Sequence, residues 1–311
     1  MRGSLALAEE ALADLERLGD EDGAVWALRL VGNFRGWLGS SSEAEVYWQQ
    51  ALERAERFSP RLVSDVLIWR CWDIWWGGTP AEEGIRLCDE FMQRSASKRV
   101  EAIALLVRGT QKAALRRIDE GRVDVAAGRA LLKDLGDLIW WAGSSMIHGE
   151  MELMADKAET AYEALAEGQE YLAASFESGY LATVIGFRAQ AALELGREDE
   201  ALQLADETGR VAAQDDFEPH ARRRCVRART LARRGEFEAA DELLGEAAEI
   251  IEVTDYVMLH LDLAFARADV DRLAGRPEAE REVLERALPV AEAKQNLVAV
   301  DRIRTRLAET S

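Results

Sequence analysis

The chain has 311 residues, of which 48% are hydrophobic, so it contains enough apolar material for a continuous core. Its 58 Asp and Glu residues outnumber its 39 Lys and Arg residues, and the net charge of −19 disfavours binding to a nucleic-acid backbone. Cys71, Cys88 and Cys225 are an odd number without CxxC spacing, which argues against a disulfide framework and against a zinc site.

The amino terminus lacks the basic-then-apolar pattern of a signal peptide. The most apolar stretch, "VLIWRCWDIWW", is interrupted by Arg70 and Asp73 and falls short of the roughly 20 residues that span a bilayer. We therefore expect a cytoplasmic protein that does not contact membranes.

A repeated turn is the main signal along the chain. Each turn follows an apolar helical stretch and precedes an acidic, Ala-rich one, and successive turns stand 39 or 40 residues apart. The turn positions are Gly39, Gly78, Arg117, Asp156, Gly196, Gly235 and Gly275. A fixed period of this size predicts stacked helical units, and the low Pro content favours long helices. The predicted fold is all-α, a right-handed superhelical solenoid of helix-turn-helix repeats with a period of about 39–40 residues.

In chain order, a lone half-repeat helix over 4–18 precedes the hairpins and a helix over 296–309 follows them, within a single repeat domain over 1–311. The seven predicted hairpins cover 22–57, 61–95, 98–134, 137–175, 179–213, 217–252 and 256–293. An array that begins with an unpaired half-repeat is expected to be a piece of a longer protein.

Local signals agree with these hairpins. Ser40-x-x-Glu43 and Thr79-x-x-Glu82 fit capping boxes, with Pro80 as the first helical residue, and Ser59 precedes another helix start. Gly at five of the turns suits a left-handed helix end, whereas Arg117 would cost on the order of 1 kcal/mol there.

A small residue five positions after the turn would let the two helices of a hairpin approach closely. Ala occupies it at 44, 161, 201 and 240, and Gly84 lies one residue away from it in the second hairpin. Arg122 and Glu280 occupy it elsewhere, which predicts looser or differently registered hairpins.

The chain resembles a known family at several segments: "GWLGSSSEAEVYWQQALERA", "WWGGTPAEEGIRLCDEF", "RARTLARRGEFEAADELL" and "LAGRPEAEREVLERAL". They look like tetratricopeptide (TPR) repeats with a longer period than usual. More specifically, they resemble the carboxy-terminal repeats of bacterial multidomain signalling proteins that carry a class III adenylate/guanylate cyclase and a STAND-type AAA ATPase module. The resemblance implies a sensor and partner-docking region, with the nucleotide chemistry in upstream domains.

Motifs for catalysis are missing from the sequence. It has no GxxxxGK, no GxGxxG after a strand and no HExxH, and His148, His220 and His260 fall on three different predicted helices. We therefore predict no catalytic, cofactor-binding or metal-binding residue, and no enzymatic activity.

Two features favour recognition. Trp69, Trp72 and Trp76 fall within about 60° of one another on helix 61–76 and could line a groove for a peptide or flat ligand. That helix is apolar nearly all round, so the alternative is packing within the core.

The second feature is the Arg-rich helix 217–234. Arg223, Arg227 and Arg234 form a stripe opposite small apolar residues, directed toward solvent or the concave surface, where they could clamp a carboxylate or phosphate. The alternative is pairing with Glu198, Glu200, Glu238 or Glu242 of neighbouring helices.

The main functional hypothesis is a protein-interaction and sensor region that regulates an attached or partner signalling enzyme, its partner being a protein, a peptide or another domain of the same protein. The runner-up is a regulator whose curvature changes when a small-molecule inducer binds. A third hypothesis is an independent scaffold.

Overall fold

The computed structural model describes residues 2–57 and 59–309, and every helix or strand assigned within them is an α-helix. The seventeen helices in this part of the chain are α1 (Arg2–Leu18), α2 (Glu21–Trp37), α3 (Ser41–Ala55), α4 (Pro60–Trp76), α5 (Ala81–Arg94), α6 (Lys98–Ala114), α7 (Ile118–Asp134), α8 (Leu138–Gly143), α9 (Ser145–Met154), α10 (Ala158–Ala174), α11 (Gly179–Glu194), α12 (Glu198–Val211), α13 (Phe217–Arg233), α14 (Phe237–Ile251), α15 (Val257–Leu273), α16 (Pro277–Lys294) and α17 (Leu297–Glu309).

These helices form the predicted right-handed superhelical solenoid of TPR-like hairpins, which confirms the fold class. The first helix of the fourth hairpin differs from the prediction, because it is divided into α8 and α9 at Ser144. The Ser144 hydroxyl donates to the Trp141 carbonyl at 2.6 Å, and Arg129 Nη1 donates to the same carbonyl at 3.1 Å. Side-chain donors thus compete for a carbonyl that a continuous helix would use, which accounts for the break.

Small residues bring the two helices of most hairpins together. Ala44, Ala161, Ala201 and Ala240 are fully buried, as their spacing predicts. At Arg122 the hairpin is differently registered, the second of the two predicted outcomes, because the contact moves one residue to Gly121. A Cβ on Gly121 would lie 2.5 Å from the carbonyl oxygen of Gly109, so only glycine permits this approach.

In the seventh hairpin a buried ion pair replaces the small residue. Glu280, which takes the place of the small residue in α16, is 2% exposed. Its carboxylate accepts hydrogen bonds from Arg306 Nε at 2.8 Å and Arg306 Nη2 at 2.5 Å. The long acidic side chain is therefore neutralised by α17 rather than expelled to solvent.

The turns within the hairpins are mostly left-handed, with two corrections. In the third turn the residue with positive φ is Arg116 (+66°), whereas Arg117, at φ −92°, is already the N-cap of α7. In the second turn Gly78 is not left-handed, and the C-cap of α4 is Gly77, whose φ is −79°. Asp156 adopts φ +55°, so the chain tolerates left-handed backbone at non-glycine residues in two of these turns.

The superhelix closes on itself through the loop before α15. The Asp255 carboxylate accepts hydrogen bonds from the backbone amides of Ser41 at 2.6 Å and Ser42 at 2.8 Å. Asp255 lies 214 residues after Ser41, yet it caps the amino terminus of α3. Its own amide donates to the Gly39 carbonyl at 2.9 Å.

The predicted capping boxes are consequently wrong. Ser40 makes no side-chain cap, because Asp255 already occupies the α3 terminus, and Glu43 instead accepts from Arg35 at 2.6 Å. In α5 the first helical residue is Ala81 rather than Pro80. The Ser59 cap is confirmed, since the Leu62 amide donates to its hydroxyl at 3.4 Å.

Further contacts extend this closure toward the carboxy terminus. Lys294 Nζ donates to the carbonyls of Ile74 and Gly77, both at 2.8 Å, and burial lowers its pKa to about 8. Gln295 Oε1 accepts from the Glu82 amide at 2.9 Å. We call the contacts of 254–257 and 294–302 with the turns at 36–42, 74–82, 116 and 156 the seam.

Two exposed ion pairs lie at the outer end of the seam. Arg116 contacts Asp301 at 2.6 Å, and Arg302 contacts Asp156 at 3.1 Å. Solvent screens both pairs, so the seam depends mainly on the buried contacts of Lys294 and on the part-buried cap that Asp255 places on α3.

Candidate functional site

The tryptophan stripe of α4 lies in the interior of the superhelix. Trp72 is 4% exposed, Trp69 and Trp76 are half-buried, and all three line one internal cavity. The remaining faces of α4 pack in the core, with Leu67 and Cys71 fully buried. The sequence left two alternatives for this helix: packing in the core or lining a groove. In the structure α4 packs in the core with most of its residues and lines a cavity with its tryptophan stripe.

The wall of this cavity, which we call the aromatic cavity, consists mainly of rings around a volume of about 460 Å³. Trp76 stacks on Tyr256 with centroids 5.5 Å apart, and Phe217 meets Tyr256 edge-on at 5.0 Å. The other rings in the wall are those of Trp37, Trp69, Trp72, Trp140 and Tyr180. Tyr256 also belongs to the seam, where its hydroxyl donates to the Gly36 carbonyl at 2.8 Å. The cavity is therefore complete only when the superhelix is closed.

Three carboxylates interrupt the aromatic wall: Glu177, Asp216 and Glu218. Glu177 caps α11 by accepting from the Gly179 and Tyr180 amides, each at 2.9 Å. Burial, together with repulsion from Glu218 and Asp215, raises the pKa of Asp216 to about 7.

Several polar atoms of this wall have no hydrogen-bond partner among the described residues. They are the buried Nε1 atoms of Trp72 and Trp76 and the Oε2 atom of Glu218. Buried polar groups usually find partners, so these atoms mark a place where a bound molecule could supply them. Two donors and an anionic acceptor therefore belong to residues of one wall.

Arg222 connects the aromatic cavity to a more polar region. Its Nε donates to Glu218 Oε1 at 2.6 Å, and its Nη1 donates to Gln190 and Asp262, both at 2.8 Å. The guanidinium lies 3.7 Å from the ring centroid of Phe187, a cation–π contact. Glu218 lines the aromatic cavity, and Arg222 lines two adjoining cavities of about 420 and 70 Å³.

The larger polar cavity carries charges of both signs. Arg229 Nη2 pairs with Glu194 at 2.8 Å, and its Nε pairs with Asp269 at 2.7 Å. Arg302 and Arg306 of α17 complete the basic side of the wall. The interior thus changes from aromatic near α4 to ionic near α17.

Glu150 lies between these regions, is 7% exposed and lines the cavity of about 70 Å³. It accepts a hydrogen bond from Trp75 Nε1, and burial raises its pKa to about 7. Its other electrostatic neighbours are Asp262, Arg222 and Lys294.

The predicted arginine stripe lies elsewhere. Arg227 pairs with Asp206, and Arg234 pairs with Asp199 at 2.6 Å and Glu198 at 3.6 Å, so two of the three contact acidic residues of α12. Arg223 lies over Gly209 of the same helix, and burial lowers its pKa. Of the pairings considered as alternatives, the one with Glu198 is present. The arginines that line the interior are the flanking ones, Arg222 and Arg229.

Sequence analysis missed the rings that the later repeats contribute. Trp140, Tyr180, Phe217 and Tyr256 all lie at the start of a first helix, with spacings of 40, 37 and 39 residues. This spacing follows the repeat period, so alignment of the repeats would reveal an aromatic position shared by four of them.

Residues 2–57 and 59–309 contain neither a cluster of metal ligands nor a membrane-spanning helix. That part of the chain has no group of three His, Cys, Asp or Glu side chains placed to hold a metal ion. None of its helices combines the length and apolarity needed to cross a bilayer.

Comparisons with known proteins place the fold. A Rap protein solved in complex with competence and sporulation factor is similar over 99% of both chains, with a TM-score of 0.58 and 11% identity. Yeast Tom70 is similar over 98% of this chain, with a TM-score of 0.50 and 14% identity, and the chain spans 58% of the Tom70 chain. No family model and no curated protein matches the sequence. At these identities the likeness establishes the architecture alone.

Proposed function

We propose that the chain is a non-catalytic binding protein that holds a peptide segment of a partner inside its closed superhelix. The observation that carries this proposal is the aromatic cavity, whose wall comes from both ends of the array: α4 near the beginning and Tyr256 near the end. Aromatic side chains dominate the energetics of most recognition sites.

A peptide suits the interior because the lining changes along it. An apolar side chain would enter the aromatic cavity, while neighbouring polar groups would reach Arg222 and the ionic cavity beyond it. The similar Rap protein was solved in complex with competence and sporulation factor, which supports a binding role for a superhelix of this shape. By analogy, the tryptophan stripe is the anchor point of the proposed ligand.

The resemblance to repeats of cyclase and ATPase signalling proteins supports a further step. In this proposal the ligand stabilises the closed seam, and the closed superhelix regulates an attached or partner signalling ATPase or nucleotide cyclase. Binding can shift such an equilibrium only by as much as the ligand prefers the closed state.

Selection from a random peptide library on the immobilised chain tests the proposal. A synthetic copy of an enriched peptide should bind with a Kd of micromolar order or tighter, and Trp76→Ala should abolish binding. Trp26→Ala, which removes a partly exposed ring of α2 outside the cavity, should bind as the wild type does. Circular dichroism confirms that both variants fold. Failure to enrich any peptide, or equal binding by both variants, would contradict the proposal.

A small-molecule inducer is the second candidate, and the size of the aromatic cavity favours it. A volume of about 460 Å³ lies within the range of sites for drug-sized ligands. Thermal shift against a metabolite collection separates the candidates, because an inducer raises the melting temperature in proportion to the logarithm of its concentration.

A further inference from the structure

The aromatic cavity has an unbalanced charge. Among the described residues that line it, three are carboxylic acids and none is Lys, Arg or His. Glu177 is satisfied by the amides of α11, which leaves Asp216 and Glu218 to face the interior. Arg222 neutralises one oxygen of Glu218, but Oε2 is buried without a partner.

The rings are arranged to supplement those carboxylates. Trp72, Trp140 and Tyr180 form a triangle of rings, with centroid distances of 5.7 Å from Trp72 to Trp140, 6.3 Å from Trp72 to Tyr180 and 5.9 Å from Trp140 to Tyr180. Trp76 and Tyr256 are stacked at 5.5 Å beside Phe217, the residue that lies between the two acids. Aromatic faces carry negative potential and attract cations, most strongly where water is excluded.

We propose that the aromatic cavity binds an organic ammonium group, with the rings around its alkyl substituents and Asp216 and Glu218 as counter-ions. This inference deepens the proposed function and rests on it, since it names the chemistry of the group that the ligand places in the cavity.

The ammonium group has two sources: a lysine side chain of the bound peptide or a free amine. Both share the same chemistry, so the first experiment uses a probe that isolates it. Choline and 3,3-dimethylbutan-1-ol have nearly the same shape, and they differ in the positive charge. Their affinities for the full chain are measured by tryptophan fluorescence.

Choline should bind at least about tenfold more tightly than the neutral alcohol, because cation–π and carboxylate interactions add to the shared apolar contact. At pH 8.5, where Asp216 is ionised, Asp216→Asn should weaken choline binding by about fivefold to tenfold and leave the alcohol unaffected. Asp199→Asn is the matched control, because it removes the same charge from a side chain that is 91% exposed on α12. Equal affinity for both probes, no detectable choline binding, or equal effects of the two substitutions would overturn the proposal.

Replacing lysine by norleucine in a selected peptide distinguishes the sources. A loss of affinity together with choline binding identifies a peptide lysine. If a peptide binds regardless of its lysines and choline does not bind, the ammonium site is wrong while the proposed function stands. If choline binds and no peptide is selected, the ammonium site stands with a free amine as its ligand, and the peptide proposal fails.

Discussion

Replacing Glu150 by Gln should stabilise the protein at alkaline pH and have a much smaller effect at acidic pH. Glu150 is buried in the interior of the superhelix, and its carboxyl pKa is raised from an ordinary value of 4.5 to about 7, chiefly by burial. The hydrogen bond from Trp75 favours ionisation but does not offset the loss of water. Gln keeps an oxygen for Trp75 and carries no charge.

The direction of the change in stability with pH follows from proton binding. Between pH 4.5 and 7 the folded chain binds a proton at Glu150 that the unfolded chain has released, so stability falls as pH rises through this window. The total loss is about 3 kcal/mol above pH 8, since a tenfold change in proton affinity corresponds to about 1.4 kcal/mol. About 2 kcal/mol of that loss develops between pH 5.5 and 8.5.

Urea unfolding of the wild type and Glu150→Gln at pH 5.5, 7 and 8.5 measures the effect. The advantage of the variant should grow by about 2 kcal/mol across this range, and comparison at each pH cancels the titrating groups that do not interact with Glu150. Glu163→Gln, at an exposed position of α10, should show no such trend. A difference between Glu150→Gln and the wild type that is constant with pH would refute the reasoning.

Three further predictions concern stability. Asp255→Ala should lower the free energy of unfolding by about 1–2 kcal/mol in urea titrations, because it removes the cap on α3; unchanged stability would contradict the cap. Phe176 has a φ of +56° and is 97% exposed, so shortening its side chain removes no packing and changes only the backbone strain. Because glycine adopts left-handed backbone without strain, calorimetry should find Phe176→Gly more stable than Phe176→Ala by about 1 kcal/mol. The reverse order would contradict left-handed strain at this position. Arg222→Ala should destabilise by about 3–5 kcal/mol, since it leaves buried carboxylates unpaired, whereas Arg227→Ala should cost below about 1 kcal/mol; similar losses in urea would contradict the assignment of Arg222 to the interior.

The repeat architecture could be predicted because its signals are local. A turn every 39–40 residues and a buried alanine at a fixed offset, as at Ala201 and Ala240, both depend on neighbours a few residues away. The changed register at Gly121 follows the same logic, because a shift of one residue still satisfies the requirement for a small side chain.

The seam could not be predicted, because its contacts depend on how the curvature of all the repeats accumulates. Ser40 and Glu43 match the sequence pattern of a capping box. That pattern depends only on neighbouring residues, so it could not include Asp255, which is distant in the sequence and caps α3 instead. A small change in the angle between repeats would separate Lys294 from the end of α4. The spatial neighbours of these residues are therefore a property of the whole array.

The candidate site also combines residues that could be predicted from local sequence with residues that could not. The stripe of Trp69, Trp72 and Trp76 follows from helical spacing and does face a cavity. The rings opposite it, such as Phe217 and Tyr256, come from distant repeats that the seam brings into position. For α13, the small apolar stripe correctly predicted the buried face, but not that Arg222, next to that stripe, would be the arginine directed inward.

Closure of the superhelix underlies both the cavity and its proposed ligand, and an engineered disulfide tests it most directly. A Cβ on Gly78 would lie 3.7 Å from Cγ2 of Val257, so side chains at the two positions touch across the closed seam, where two thiols can cross-link. Gly78→Cys combined with Val257→Cys should form an intramolecular disulfide on mild oxidation, so that the new thiols no longer react with a labelling reagent. If both thiols of the folded double variant react as readily as those of the single variants, the superhelix is open and the account is wrong.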